Sequence, residues 1–503
     1  MSSKLSTGYQ LVRRFVRLLV RVFFREIVYE GLDRIPRDAG GLIVAWHPNG
    51  LVDPALILSN FPGKIIFGAR HGLFSWPILG WLIKRIGTVP IYRSQDLETM
   101  SRAEALKANQ ESLNTMADEL ASGSFSALFP EGISHDEPHL TEIKTGAARL
   151  YYRARAKSSP SVPPPVIIPV GLHYDRKAIF RSRVLVTFHE PIDLPSHLDV
   201  NPSEDEPINV HRARYRELTE LIEHTLIEVV RATEDWNLHQ LMHRARKLMR
   251  AERSYRAGAR PDAPSITERD LGFARVWYGY RARLKTHPDE ILALTKELAE
   301  YDKMIRAVGL EDFELTGPIK LSSPTWFGLL TLQFATVYLF LPPIIIVGYV
   351  INVIPYFLLK GLDRFYTREY KDAATVKMLG GAVLFPLTWG VAAILAARGS
   401  QELHLAFPTI PDVPVLVAVL TIIFAMISGF LALRYNELSQ ETYRAIRVQI
   451  TKTKKKESIE QLVAERARLF ERVSLLEVGL DLPGQVAPDG RIVSRETVLP
   501  RPG

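Results

Sequence analysis

The chain has 503 residues, enough for more than one domain, and no cysteine, which excludes disulfides, thiolate nucleophiles and cysteine-based zinc sites. Its formal charge of +8 favours anionic partners. Because apolar segments of membrane length are present, those partners are phospholipid headgroups and phosphorylated substrates, and no motif points to nucleic acid.

Residues 1–30 read as a basic amphipathic helix. Arg13, Arg17, Arg21 and Arg25 recur every four residues and fall on one helix side, with Leu11, Val12, Phe15, Leu19, Val22 and Phe23 on the other. The arginines interrupt the apolar run and argue against a cleavable signal peptide. Such a helix either lies in the membrane interface, the reading adopted, or packs on the next domain with its arginines in water.

Residues 31–200 alternate apolar runs of strand length with longer helix-like stretches. The runs are Leu42–Trp46, Ile65–Phe67, Val89–Tyr92, Phe125–Phe129, Val166–Val170 and Val184–Phe188. The pattern predicts an α/β domain with a mixed, largely parallel sheet flanked by helices. Three runs end beside a polar residue suited to chemistry, namely His47, Arg93 and Glu131, and open α/β sheets bind ligands beyond the carboxyl ends of their strands.

An acidic, proline-bounded connector, Asn201–Pro207, opens a charged helical region over 201–323, with a break at Gly258–Pro264. This region either braces the catalytic domain, covers a substrate groove, or is a solvated spacer.

Residues 324–436 read as a membrane domain of transmembrane helices. The stretches 378–397 and 413–433 are close to the ~20 residues that span a bilayer. The stretch 326–359 is too long for one pass, and Pro342-Pro343 at its centre predicts a helical hairpin or re-entrant pair. Lys360, Arg364, Arg368, Lys371 and Lys377 crowd the next loop, the loop 398–412 has one arginine, and Arg434, Arg444 and Arg447 begin the tail. A hairpin keeps both basic regions inside and predicts a catalytic domain on the cytosolic face. The tail, 437–503, is basic and helical, with disorder expected from Gly484. Its Lys452–Lys456 cluster is either a headgroup contact or solvated surface.

The chemistry centres on His47 and Asp53. A neutral imidazole takes a proton near physiological pH, and a nearby carboxylate fixes its tautomer and stabilises the imidazolium. His135 and His139 are spaced as metal ligands could be, but Pro138 lies between them and no third ligand is evident, so they read as structural and no metal is expected. Without a Gly-x-Ser-x-Gly elbow or a phosphate loop of the Gly-x-x-x-x-Gly-Lys type, covalent serine catalysis and nucleotide hydrolysis have no support.

Four blocks follow in order: His47-Pro-Asn-Gly-Leu-Val-Asp53; Gly87-Thr-Val-Pro-Ile-Tyr-Arg93; Phe129-Pro-Glu-Gly-Ile-Ser134 with Lys144-Thr-Gly146; and Val166-Ile-Ile-Pro-Val170. Together they resemble the glycerolipid acyltransferase family typified by bacterial 1-acyl-glycerol-3-phosphate acyltransferase. The run Phe129–Asp136 and the five residues between His47 and Asp53 are most similar to the fungal-type glycerol-3-phosphate and dihydroxyacetone-phosphate acyltransferases. Most of the family has one residue fewer there, which puts the His47–Asp53 contact in question unless the Pro48-Asn49-Gly50 turn absorbs the difference.

The resemblance implies that His47 is the base and Asp53 its orienter, and that Arg93 binds phosphate through its two-pronged guanidinium. It gives Glu131 a part in acceptor binding, by accepting glycerol hydroxyls or holding the arginine, against the alternative of a structural turn. Gly132 allows close backbone approach, and Lys144 supplies a second cation. The expected reaction esterifies glycerol-3-phosphate or a related phosphorylated acceptor, dihydroxyacetone phosphate included, from an acyl thioester, at a phospholipid membrane. No separate cofactor is expected; the co-substrate is a thioester of coenzyme A or of acyl carrier protein. The rivals are acylation of a lysophospholipid and a catalytically silent membrane scaffold, the latter having no need of base, orienter, arginine and glutamate together.

Overall fold

The computed structural model describes residues 5–92, 101–203, 206–259, 263–316, 324–367 and 369–495. Packing divides the chain into two units, Met1–His239 with Arg368–Met378, and Gln240–Thr367 with Leu379–Gly503.

The first unit is built on a seven-stranded sheet of β1 (Glu26–Glu30), β2 (Gly41–Ala45), β3 (Ile65–Arg70), β4 (Val89–Ile91), β5 (Phe125–Leu128), β6 (Val166–Tyr174) and β7 (Arg183–Phe188), in the order β1-β7-β6-β2-β5-β3-β4. Neighbours are parallel except β6 and β7, so five strands run one way and the last hairpin arm and β1 run the other. The edge strand β1 escaped the sequence reading because its apolar run, Ile27-Val28-Tyr29, is short, lies between glutamates and directly follows the helical pattern of residues 1–25.

Every residue of β2 is buried, because helices cover both faces of the sheet. Ile43, Ala45, Phe67, Ala127 and Val170 face α1 (Thr7–Phe23) and α2 (Val52–Asn60). Leu42, Val44, Ile66 and Ile167 face α4 (Arg102–Ala121), α5 (Gly146–Lys157) and α6 (Ile208–Val230), with α3 (Pro77–Arg85) between β3 and β4 in the chain. Successive side chains of a strand point to opposite faces, and this splits one apolar run between two cores.

Helix α1 departs from the simple two-sided expectation. Tyr9, Val12, Val20 and Phe23 turn inward to the sheet's core, whereas Leu11, Phe15, Leu18 and Val22 form an exposed apolar stripe. Arg13 and Arg17 do not lie free in water or lipid: they donate to the carbonyls of Phe61 (3.1 Å) and Ser59 (2.7 Å) at the end of α2. A helix C-terminus leaves such carbonyls unpaired and carries partial negative charge, so guanidinium donors suit it.

The second unit takes in most of α7 (Trp236–Arg256), with α8 (Ile266–Thr286), α9 (Pro288–Val308), the short α10 (Asp312–Leu315), α11 (Pro324–Ala335), α12 (Leu341–Tyr366), most of α13 (Ala373–Ala406), α14 (Pro414–Lys454) and α15 (Lys456–Glu477). Among the described residues two helices, Tyr370–Ala406 and Pro414–Lys454, are long and apolar enough to cross a membrane. The preceding apolar stretch is bent by 86° between Phe327–Pro343 and Gly348–Tyr366, at the diproline. Within it Asn352 is buried and satisfied: its amide donates to Gly348 O and Ala425 O, and its carbonyl accepts Trp389 Nε1–H at 3.0 Å. An unpaired amide would be costly in hydrocarbon; the bond to Gly348 stays within α12, and the other two tie α12 to α14 and α13.

The disorder expected from Gly484 is corrected as far as Arg495; residues 496–503 lie outside the described residues. Gln485–Val486 and Ile492–Val493 form a small antiparallel pair, Ile492 is buried, and Ser254 donates to Asp489 O. Arg275 also donates to the carbonyls of Pro483 and Gly484. Polar composition suggested a loose end, but its backbone is captured by long arginine side chains and packed glycines.

Arg466 is fully buried, donating from Nε to Glu252 (2.9 Å) and from Nη1 to the Asp312 carbonyl (2.7 Å), while Asp312 accepts from Arg244 and Tyr301. Removing Arg466 leaves the buried Glu252 carboxylate with Arg256 and the buried Asp312 carbonyl without that donor. Arg466→Ala is expected to destabilise the detergent-solubilised chain by about 3–5 kcal/mol, read as a lower thermal unfolding midpoint.

Candidate active site

The parallel strands place the ends of β2 and β5 side by side in register, with Val44 opposite Leu128. Counting three residues on from each puts His47 level with Glu131. That adjacency is realised: the His47 amide donates to Glu131 Oε2 at 3.0 Å, and the imidazole stacks on Phe129 with centroids 4.0 Å apart.

From His47 the chain turns through Pro48, Asn49 and Gly50 into α2. Gly50 has φ 43°, in the left-handed region, and this absorbs the extra residue between base and carboxylate. His47 Nδ1 lies 2.9 Å from Asp53 Oδ2, with Asp53 fully buried and the imidazole largely covered. The same oxygen accepts the Asn49 amide at 2.7 Å, and Asp53 Oδ1 accepts the Tyr174 hydroxyl. A carboxylate accepts only, so Nδ1 carries the proton and Nε2 keeps its lone pair. Burial, and then the neighbouring Asp53 charge, hold the Tyr174 phenol well above its usual pKa, so it remains a donor.

Tyr174 arrives because β6 runs nine residues, past the level at which β2 ends, before reversing into β7. In the reversal Lys177 Nζ donates to Pro48 O at 2.8 Å and pairs with Asp136, and its own carbonyl accepts Asn49 Nδ2 at 3.1 Å. The turn is therefore gripped from both sides.

Glu131 is buried, and both its oxygens are engaged with the chain. Oε1 accepts His135 Nε2, the Thr141 amide (2.9 Å) and the Thr141 hydroxyl, while Oε2 takes the His47 amide. This carboxylate braces the loop 130–141 against the base. His135 also accepts the Glu137 amide on Nδ1, while His139 is exposed. Among the described residues no group of three or more His, Asp or Glu is placed to hold a metal.

Gly132 has φ 71°, a conformation closed to most side chains, and allows the turn after Glu131. Lys144 donates its amide to Pro130 O (2.8 Å), but its ammonium is exposed and pairs with Glu142. Arg93 lies outside the described residues, two positions past the end of β4. The structure thus brings His47, Asp53 and Glu131 together. It adds Asn49, Phe129, Tyr174 and Lys177, of which only Asn49 and Phe129 stand inside recognisable motifs.

An imidazole oriented in this way has a lone pair on Nε2 able to take a proton, at the carboxyl edge of a parallel sheet. The chain is similar to known proteins. Residues 26–173 match the family model described as Acyltransferase. The chain is 29% identical over 207 residues to glycerol-3-phosphate O-acyltransferase 2 of Saccharomyces cerevisiae, covering 41% of this chain and 26% of that one. It is 24% identical over 382 residues to glycerol-3-phosphate O-acyltransferase 1 of the same yeast, covering 74% and 47%. To the 1-acyl-sn-glycerol-3-phosphate acyltransferase of Streptococcus pneumoniae it is 27% identical over 203 residues, covering 40% and 67%. The matched part spans about a quarter to a half of the two yeast proteins.

Two substitutions test the triad of contacts on Asp53. Asp53→Asn presents an amide that can donate to Nδ1 and move the imidazole proton to Nε2; kcat should fall by about 100-fold to 10,000-fold with little change in acceptor KM. Tyr174→Phe removes one donor and leaves the tautomer, so kcat should fall only about tenfold, near 1.4 kcal/mol.

Proposed function

With residues 26–173 carrying the acyltransferase family's domain, we propose that this protein moves a fatty acyl group from an acyl thioester to the sn-1 hydroxyl of glycerol-3-phosphate, with dihydroxyacetone phosphate as a second acceptor. The observation that carries the reading is the His47–Asp53 contact, which leaves Nε2 free to take a proton. The yeast proteins' names supply the acceptor class.

Nε2 of His47 accepts the acceptor's hydroxyl proton as that oxygen attacks the thioester carbonyl. The carbon–sulfur bond then breaks, the imidazolium returns its proton to the departing thiolate, and an ester and a free thiol result. Asp53 stabilises the imidazolium between the two steps. Arg93 is assigned to the acceptor phosphate and Lys144 to a second cationic contact. Glu131 acts through the loop it braces, with Gly132 permitting the turn. The donor is assigned as acyl-coenzyme A, with acyl carrier protein the alternative thioester.

The second reading is acylation of a lysophospholipid, favoured by the Streptococcus pneumoniae relative. An acceptor panel with purified protein separates the two. Saturable turnover with glycerol-3-phosphate, lost in His47→Ala by at least the ~100-fold that general-base assistance typically contributes, is the expected result. Turnover with 1-acyl-glycerol-3-phosphate alone would move the assignment to the second reading, and undiminished activity in His47→Ala would refute the base.

The catalytic domain is assigned to the cytosolic face, on the excess of lysine and arginine over 360–377 and beyond Arg434. Residues on both sides of the bent stretch 327–366 then lie on one side of the membrane, as a hairpin requires. The absence of cysteine makes this directly testable. Thr409→Cys and Ser458→Cys should label from opposite faces of sealed vesicles with a membrane-impermeant maleimide.

A further inference from the structure

The turn between His47 and Asp53 is completed by residues more than three hundred positions downstream. The segment Glu369–Met378 stands in the sequence between two apolar stretches, yet it packs in the unit that holds His47. Ala374 and Met378 are buried in the same core as Val52 and Leu56. Lys377 Nζ donates to Ala178 O at 3.0 Å, and Lys177 Nζ, already bonded to Pro48 O, sits 5.7 Å from the centre of the Tyr370 ring.

Two contacts reach the turn itself. Thr375 Oγ1 accepts the Leu51 amide at 3.2 Å, one of the donors that the start of α2 leaves without a helical partner. Asp53 sits two residues further on, so fixing Leu51 fixes the entry to the carboxylate. A Cβ built on Gly50 would lie 3.1 Å from Thr375 Oγ1 and 3.4 Å from both Asp372 Oδ1 and the Lys371 carbonyl, so the segment lies directly on the turn. Asp372 also interacts electrostatically with His47.

We propose that Glu369–Met378 is part of the catalytic site, with Thr375 positioning the turn between base and orienter and Asp372 supplying a second negative charge that favours the His47 imidazolium. The proposal rests on the acyltransferase reading above. The charged and titratable groups around His47 are otherwise paired among themselves. Asp53 holds Nδ1 and is held by Tyr174, Glu131 takes the amide with His135 behind it, Lys177 pairs with Asp136, and Lys371 pairs with Glu369 at 2.7 Å. Asp372, whose charged neighbours are Lys371, Glu369 and His47, reaches the imidazolium across Gly50.

The test uses the full-length protein in detergent with glycerol-3-phosphate and an acyl thioester, comparing pH profiles of kcat/KM. Removing the Asp372 charge destabilises the imidazolium, so His47 stays unprotonated to lower pH. The acid limb of Asp372→Asn should therefore move down by about half a pH unit, while Asp372→Glu keeps the wild-type limb. Thr375→Val should lower kcat about tenfold with acceptor KM within about twofold, and Thr375→Ser should restore it. An unmoved or upward-shifted limb in Asp372→Asn, or Thr375→Ser no better than Thr375→Val, overturns the proposal. His47→Ala separates the levels: activity surviving in it removes the acyltransferase mechanism, whereas an inactive His47→Ala beside an unmoved limb removes only this inference.

Discussion

The site depends on one buried anion. Asp53 lies out of water, where an unpaired carboxylate would be too costly to hold, and three donors offset that cost: His47 Nδ1–H, the Asn49 amide and the Tyr174 hydroxyl. The consequence reaches beyond stability. Because the carboxylate claims Nδ1–H, the lone pair of the neutral imidazole is left on Nε2. Were Asp53 absent, the two neutral tautomers would compete, and one of them presents a proton where a lone pair is needed.

The sheet makes that arrangement possible. Parallel pairing of β2 with β5 delivers His47 and Glu131 to one level, and Glu131 then ties the base's amide to the loop 130–141. Parallel pairing with β6 brings in a longer strand, whose overrun carries Tyr174 to Asp53 and whose return loop carries Lys177 to Pro48. The contacts made by Glu131 are of the second kind that a site needs: they hold the residue that does the chemistry. Its four hydrogen bonds to the chain hold a buried carboxylate just past a strand end.

Local signals made much of this legible from sequence. Six of the seven strands are apolar runs bounded by turns, and His47, Asp53 and Glu131 sit in short motifs at strand ends. What escaped is long-range. Tyr174 is 121 residues from Asp53, and nothing in its neighbourhood distinguishes it from any tyrosine at a strand end. The stretch Leu11–Phe23 reads as a single apolar face, yet Val12 and Phe23 enter the core while Leu11 and Val22 stay outside. Periodicity defines a face but not its partner. Likewise the lysines and arginines over 360–377 mark a basic loop, and charge alone does not say that part of the loop is a structural piece of the domain that begins the chain.

That last piece changes how the membrane segments bear on catalysis. If residues 360–377 only joined two apolar stretches, the catalytic domain would be attached to the membrane segments at one place, through the charged helices that follow it. Because Thr375 bonds Leu51 and Ala374 and Met378 enter the domain's core, the chain is fastened a second time, at the turn that sets the base. The second attachment lies at the N-terminal end of α13, which begins at Ala373. Residues that the sequence places between two apolar stretches are thus part of the core that surrounds His47 and Asp53.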